Sequence, residues 1–96
     1  MVSPSLQDQL AARYQEGDER SGLAFLALVL MEEVGELAEA IRRGRNDDVR
    51  AELVDVAFMT LAMANVAGAD VEHGVRAKFL SRPDEAVRVS WDDVPE

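Results

Sequence analysis

Ninety-six residues, 48% of them apolar with only 3 Pro and 6 Gly, make one small globular domain and exclude both a two-domain enzyme and a low-complexity tail. Ten Lys+Arg against nineteen Asp+Glu leave a formal charge of -9, which excludes a sequence-independent nucleic-acid binder and makes any phosphate-bearing ligand depend on metal ions. The absence of Cys removes disulfides, thiolate nucleophiles and thiolate zinc sites together.

The polar start MVSPSLQDQL has neither the basic nor the apolar region of a signal peptide. The apolar run Leu23 to Met31 is about half of a bilayer span. A cytoplasmic protein with no membrane partner is the expectation.

Periodicity near 3.6 runs through the chain and predicts an all-α fold. A first helix starts after Ser3-Pro4 and ends about Gly17, with Leu6, Leu10 and Tyr14 as its buried stripe and Gly17 to Gly22 as a polar hinge. A second helix covers about Leu23 to Arg43 and closes with Arg42, Arg43 and Arg45 around Gly44, cations placed where a helix C-terminus favours them. Asn46-Asp47-Asp48 supplies an N-cap and first-turn acids for a third helix reaching Ala67, which Gly68 stops. Asp70 caps a fourth, Val71 to about Ser81. Arg82-Pro83 breaks the pattern, and Val87, Val89 and Trp91 alternate as a short strand or docked tail would. The domain is thus expected as one unit over 1–96, with a core at about 23–82 and a tail at 83–96.

Carboxylates concentrate on the second and third helices. Glu32, Glu33, Glu36 and Glu39 fall within an arc of roughly 120° at about 100° per residue, and that arc continues back through Val29 and Phe25. Glu52 and Asp55 share a face with Val56, Met59, Met63 and Val66, and Asp55 is the only charge between Leu53 and Ala67. A helix apolar nearly all round is buried, and a buried carboxylate must be paired, protonated or metal-bound.

Folding the two helices back at Gly44-Arg45 places Glu36 about 13 Å and Glu52 about 10 Å from the turn, with Glu33 about 18 Å and Asp55 about 15 Å from it. The two i, i+3 pairs therefore stand level. Four converging oxygen ligands suit Mg²⁺ or Mn²⁺. Glu32 and Glu39 stand at the edge, each either a general base or the rim of the site. Arg42, Arg43 and Arg45 are explained by the helix C-terminus, and His73 by a surface position in the fourth helix. Phe25 reads as core packing or as a stacking surface for a nucleobase.

The stretch EEVGELAEAI (Glu32 to Ile41) followed by AELVDV (Ala51 to Val56) resembles the MazG-type nucleotide pyrophosphohydrolases of the all-α NTP pyrophosphatase superfamily, whose hallmark is E-x-x-E followed by E-x-x-D. Here that pattern is Glu33-Val34-Gly35-Glu36 and Glu52-Leu53-Val54-Asp55, and the likeness continues through ANVAGADVEHGVRAKF with its Lys78, so that it covers about Leu23 to Arg82. The resemblance implies a four-helix bundle in which Glu33, Glu36, Glu52 and Asp55 hold Mg²⁺, Lys78 contacts phosphates, and a nucleoside triphosphate is cleaved to its monophosphate and pyrophosphate, as in nucleotide-pool house-cleaning. It also implies a homodimer or homotetramer, as helices apolar on most sides would themselves require.

Beyond Lys78 the family commonly shows an asparagine and a basic cluster, where this chain has Phe79-Leu80-Ser81-Arg82-Pro83. Arg82 is the cation left there for phosphate. Phosphoribosyl-ATP pyrophosphatase, from the same superfamily, and a non-catalytic helical oligomerisation or regulatory module are the alternatives.

Overall fold

The computed structural model describes residues 3–81. They form four helices with no strand among the described residues: α1 (Leu6–Ser21), α2 (Leu23–Arg42), α3 (Asn46–Ala67) and α4 (Val71–Val75), the last running on as a π-helical segment, Arg76–Leu80. The tail expected at 83–96, with its alternating Val87, Val89 and Trp91, lies outside the described residues.

The α1 N-terminus is fixed by a capping box, in which the Ser5 hydroxyl accepts from the Asp8 amide and the Asp8 carboxylate accepts from the Ser5 amide. Gly17 does not end α1, as expected from sequence. Surface pairs bridge it instead, Arg20 to Glu16 at 3.1 Å and Gln15 to Glu19 at 2.9 Å, and the helix runs to Ser21. The hinge shrinks to Gly22, whose φ of 87° only glycine takes without strain.

The α1 face also departs from the predicted stripe. Leu6 and Tyr14 remain largely exposed and the one buried residue is Gln7. Gln7 docks α1 onto the junction between α3 and α4: its Nε2 donates to the Ala69 carbonyl at 2.6 Å and its Oε1 accepts from the Val71 amide at 3.1 Å. The Gln7 amide donates to Glu72, and Asn65 donates to the Gln7 carbonyl. A periodicity argument counts apolar side chains and passes over such a polar anchor. Tyr14 meets Phe58 of α3 edge to face, ring centres 5.2 Å apart.

Most of the tertiary packing lies between α2 and α3, which fold back on each other as the sequence implies. Their turn is tied by Gly44 and Arg45 amides donating to the carbonyls of Ile41 and Ala40. Arg45, not Asn46, occupies the cap position of α3, and no side chain caps that end. Gly68 stops α3 in the left-handed conformation, φ 73°, and the Asp70 carboxylate caps α4 by accepting from the His73 amide. The chain turns by 109° between α3 and the following segment.

The buried core consists of Leu26 and Ala40 from α2 with Met59, Ala62 and Ala64 from α3. Within one chain α2 and α3 are not covered on every side, as their apolar composition leads one to expect of so short a chain. Leu23, Leu28, Met31, Val34, Ile41, Leu53 and Val54 are all exposed. Among the described residues no single helix is long and apolar enough to cross a membrane.

Candidate metal centre

Antiparallel packing of α2 on α3 brings together Glu33 and Glu36, one turn apart on α2, with Glu52 on α3. One carboxylate oxygen from each lies within 4.8 Å of the other two. Glu33 and Glu52 are half-buried, Glu36 is exposed, and Glu33 Oε2 and Glu52 Oε2 are shut off from solvent with no hydrogen-bond partner. Buried acceptors are almost always satisfied, and two orphans facing one another between like charges are costly. The arginines of the neighbouring turn do not relieve them, since Arg42 and Arg43 both pair with Glu39.

The strain registers on Glu52, whose carboxyl is pushed up to about 7 from its ordinary 4.5. The largest cause is the hydrogen bond that a protonated Glu52 can give to Glu33. Desolvation follows, then the hydrogen bond and charge offered by Glu36. A proton shared between carboxylates is one way to relieve the site. A hard divalent cation is the other, and an all-oxygen donor set of converging carboxylates fits Mg²⁺ or Mn²⁺.

Asp55, the fourth acid of the expected set, lies one turn beyond Glu52 but is exposed and is not among the three converging carboxylates. Glu39 is engaged by arginines rather than by the three converging acids. Hydrogen bonds from Arg42 and then Arg43, with the charge of Arg45 behind them, hold its carboxyl below the ordinary range, so it is a poor proton acceptor. Glu32 is exposed.

Phe25 is exposed as well and so does not pack in the core of the single chain. Lys78 is exposed in the π-helical segment with its Nζ 5.3 Å from the centre of the Phe79 ring. Neither lines the cavity of about 210 Å³ that opens beside the acids. Arg82 lies outside the described residues.

What sequence reasoning missed is the other wall of that cavity, formed by Arg43 and Arg45. The signal was the short climb from the turn to Glu52 and Glu36, which brings any side chain of the turn close to the acids.

Comparison with family models gives a match to the MazG nucleotide pyrophosphohydrolase domain over residues 22–83, well over half of the chain. The chain belongs to the MazG family. The match spans α2, α3, α4 and the π-helical segment, hence all three converging glutamates, and leaves α1 outside. No curated protein and no solved structure gives a significant match.

Proposed function

We propose that this MazG domain is a Mg²⁺-dependent nucleoside triphosphate pyrophosphohydrolase, converting a (d)NTP to the (d)NMP and pyrophosphate in cytoplasmic nucleotide-pool house-cleaning. Three glutamates converging within 4.8 Å, two of them with an orphaned buried oxygen, are the observation on which this reading rests. Glu33, Glu36 and Glu52 hold the cation, and Asp55 joins them when its side chain turns inward from its place one turn along α3. When bound, Mg²⁺, or Mn²⁺ in its place, neutralises charge on the phosphates and lowers the pKa of water near neutral pH. Glu32, exposed at the edge of the site, accepts the proton of the attacking water. Phe25 lies on the same side of α2 as Glu32 and Glu36 and offers its exposed ring to the base, while Lys78 and Arg82 offer charge to the phosphates.

The same reading includes self-association as a homodimer or homotetramer. On α2, an arc of roughly 140° at about 100° per residue presents Leu23, Ala24, Leu28, Met31, Val34, Gly35, Ala38 and Ile41 to solvent, with Arg42 in the last turn as its one charge. Gly35 sits mid-helix, and a Cβ added there would meet nothing within 4 Å from the rest of the described residues. Such a glycine costs about 1 kcal/mol against alanine, a cost offset where a second helix comes close. A second copy of α2 satisfies both features.

The test is pyrophosphate release with Mg²⁺, then Mn²⁺, across a panel of standard and modified (d)NTPs, with Glu52→Gln in parallel. Release that disappears in the variant is expected. Full turnover by Glu52→Gln at saturating Mg²⁺, or no release from any nucleotide by the folded, metal-loaded protein, would overturn the proposal.

A further inference from the structure

The cavity beside the acids is lined by groups of both charges. Glu36 and Glu52 of the cluster line it together with Arg43 and Arg45 from the α2–α3 turn, and Glu39 and Asp48 complete its polar lining. The two arginines differ in what they do. Arg43 is committed, its Nε donating to Glu39, which also accepts from Arg42. Arg45 makes no ion pair and no side-chain hydrogen bond among the described residues, although it lies among acids.

Its backbone is nevertheless held on both sides. The Arg45 amide donates to the Ala40 carbonyl at 3.0 Å and its own carbonyl accepts from the Val49 amide at 2.9 Å, with φ -88° and ψ 82° between the helices. The side chain does not cap α3 either. A fixed Cα with an uncommitted guanidinium, on a cavity that also exposes two of the three converging glutamates, is the arrangement of a residue waiting for an anion.

We propose that Arg45 is a substrate-binding residue that takes a phosphate of the nucleotide's polyphosphate chain in this cavity, which Glu36 and Glu52 also line. The inference rests on the pyrophosphohydrolase reading and assigns a role which that reading does not contain. A triphosphate carries more oxygens than one cation can neutralise, and a guanidinium offers two parallel donors to phosphate oxygens. Arg45 therefore favours ligands with two or more linked phosphates over the monophosphate product. It also supplies positive charge at the α2–α3 turn, independently of the segment that follows Lys78.

The experiment compares the full chain with Arg45→Gln, Arg45→Lys and, as a control outside the cavity, Arg50→Gln; Arg50 pairs with Asp47 at 3.2 Å on the exposed side of α3. Binding of inorganic pyrophosphate in the presence of Mg²⁺, and of Mg²⁺ alone, is read by calorimetry, alongside KM and kcat for the best nucleotide. Arg45→Gln is expected to weaken pyrophosphate binding and raise KM by about tenfold or more, with Mg²⁺ affinity within about twofold of the parent. Arg45→Lys recovers part of the loss, and Arg50→Gln changes neither. Unchanged pyrophosphate binding in Arg45→Gln would overturn the assignment, as would an equal loss of binding of Mg²⁺ alone, which would mean that the residue acts through the fold of the turn. If the parent turns over nucleotide while Arg45→Gln is indistinguishable from it, only the arginine assignment falls. If the parent neither binds Mg²⁺ with pyrophosphate nor turns over any nucleotide, the functional reading falls and takes this inference with it.

Discussion

Proton and metal compete for the same oxygens at Glu52, and the competition has a calculable size. With its carboxyl pushed up to about 7 in the metal-free protein, Glu52 is ionised in about 3% of molecules at pH 5.5, in about half at pH 7 and in about 90% at pH 8. The cation binds the ionised form, so its apparent affinity rises by about 30-fold between pH 5.5 and pH 8 and levels off above that. Proton release per cation bound should be about one at pH 5.5, about half at pH 7 and about a tenth at pH 8. Calorimetry with Mg²⁺ or Mn²⁺ in two buffers of different ionisation enthalpy measures that number directly. In Glu52→Gln the proton release should vanish and the remaining affinity should lose most of its pH dependence. The folded-state pKa lies above the ordinary 4.5, so the metal-free fold binds more protons than the unfolded chain between these values. Glu52's contribution to stability is full below about pH 4.5 and is lost as pH rises through about 7. Melting temperature in EDTA should fall over that range, and less in Glu52→Gln. No proton release at pH 7, or the same release from the variant, would refute the convergence of the three glutamates.

Other outcomes test the rest of the molecule. Asp55→Asn should raise the Mg²⁺ needed for half-maximal pyrophosphate release by about tenfold; an unchanged requirement would mean that the three glutamates suffice. Light scattering should give at least a dimer mass, and Leu28→Asp with Met31→Lys should give a monomer, whereas a monomeric parent at tens of micromolar would remove α2's outer face from consideration. Gln7→Ala leaves the Ala69 carbonyl and the Val71 amide without their partner, and urea denaturation should register a loss of about 2 kcal/mol. A loss below about half a kcal/mol would mean that α1 is held by its apolar contacts instead.

The helical hairpin and its acids were legible in the sequence because both depend on local arithmetic. Gly44 fixes the turn, the rise per residue fixes the height of each acid, and Glu33, Glu36 and Glu52 converge, whereas Asp55, expected level with Glu33, stays outside the set. The end of α3 at Gly68 and the Asp70 cap follow from chemistry confined to a few residues. Other features depend on partners distant in sequence. Nothing near Gln7 indicates that it anchors α1 to a junction more than sixty residues away. Gly17 read as a break because its neighbours are polar, yet those same side chains pair across it. Composition foretold that one chain would leave α2 and α3 partly uncovered, as the exposed Leu28, Met31, Val34 and Ile41 are, but a pattern of apolar residues does not say whose surface meets them. Arg45 was assigned to the helix terminus for a similar reason: its place beside Glu36 and Glu52 emerges only once the turn has a shape.

The Gln7 anchor also gives α1 a definite register. Apolar faces tolerate sliding, because one methylene substitutes for another at little cost. An amide that must give a proton to one backbone group and receive one from the next does not. If α1 slipped by one helical turn, about 5.4 Å, Ala11, which has no polar side-chain atom, or Ser3, whose hydroxyl sits on a shorter side chain ahead of the helix, would come to the Ala69 and Val71 position. Intermediate settings satisfy neither partner. α1 therefore engages α3 and α4 like a toothed part, and the position of its far end at Gly22, where α2 begins, follows from contacts near its start to which the Gln7 side chain gives the register.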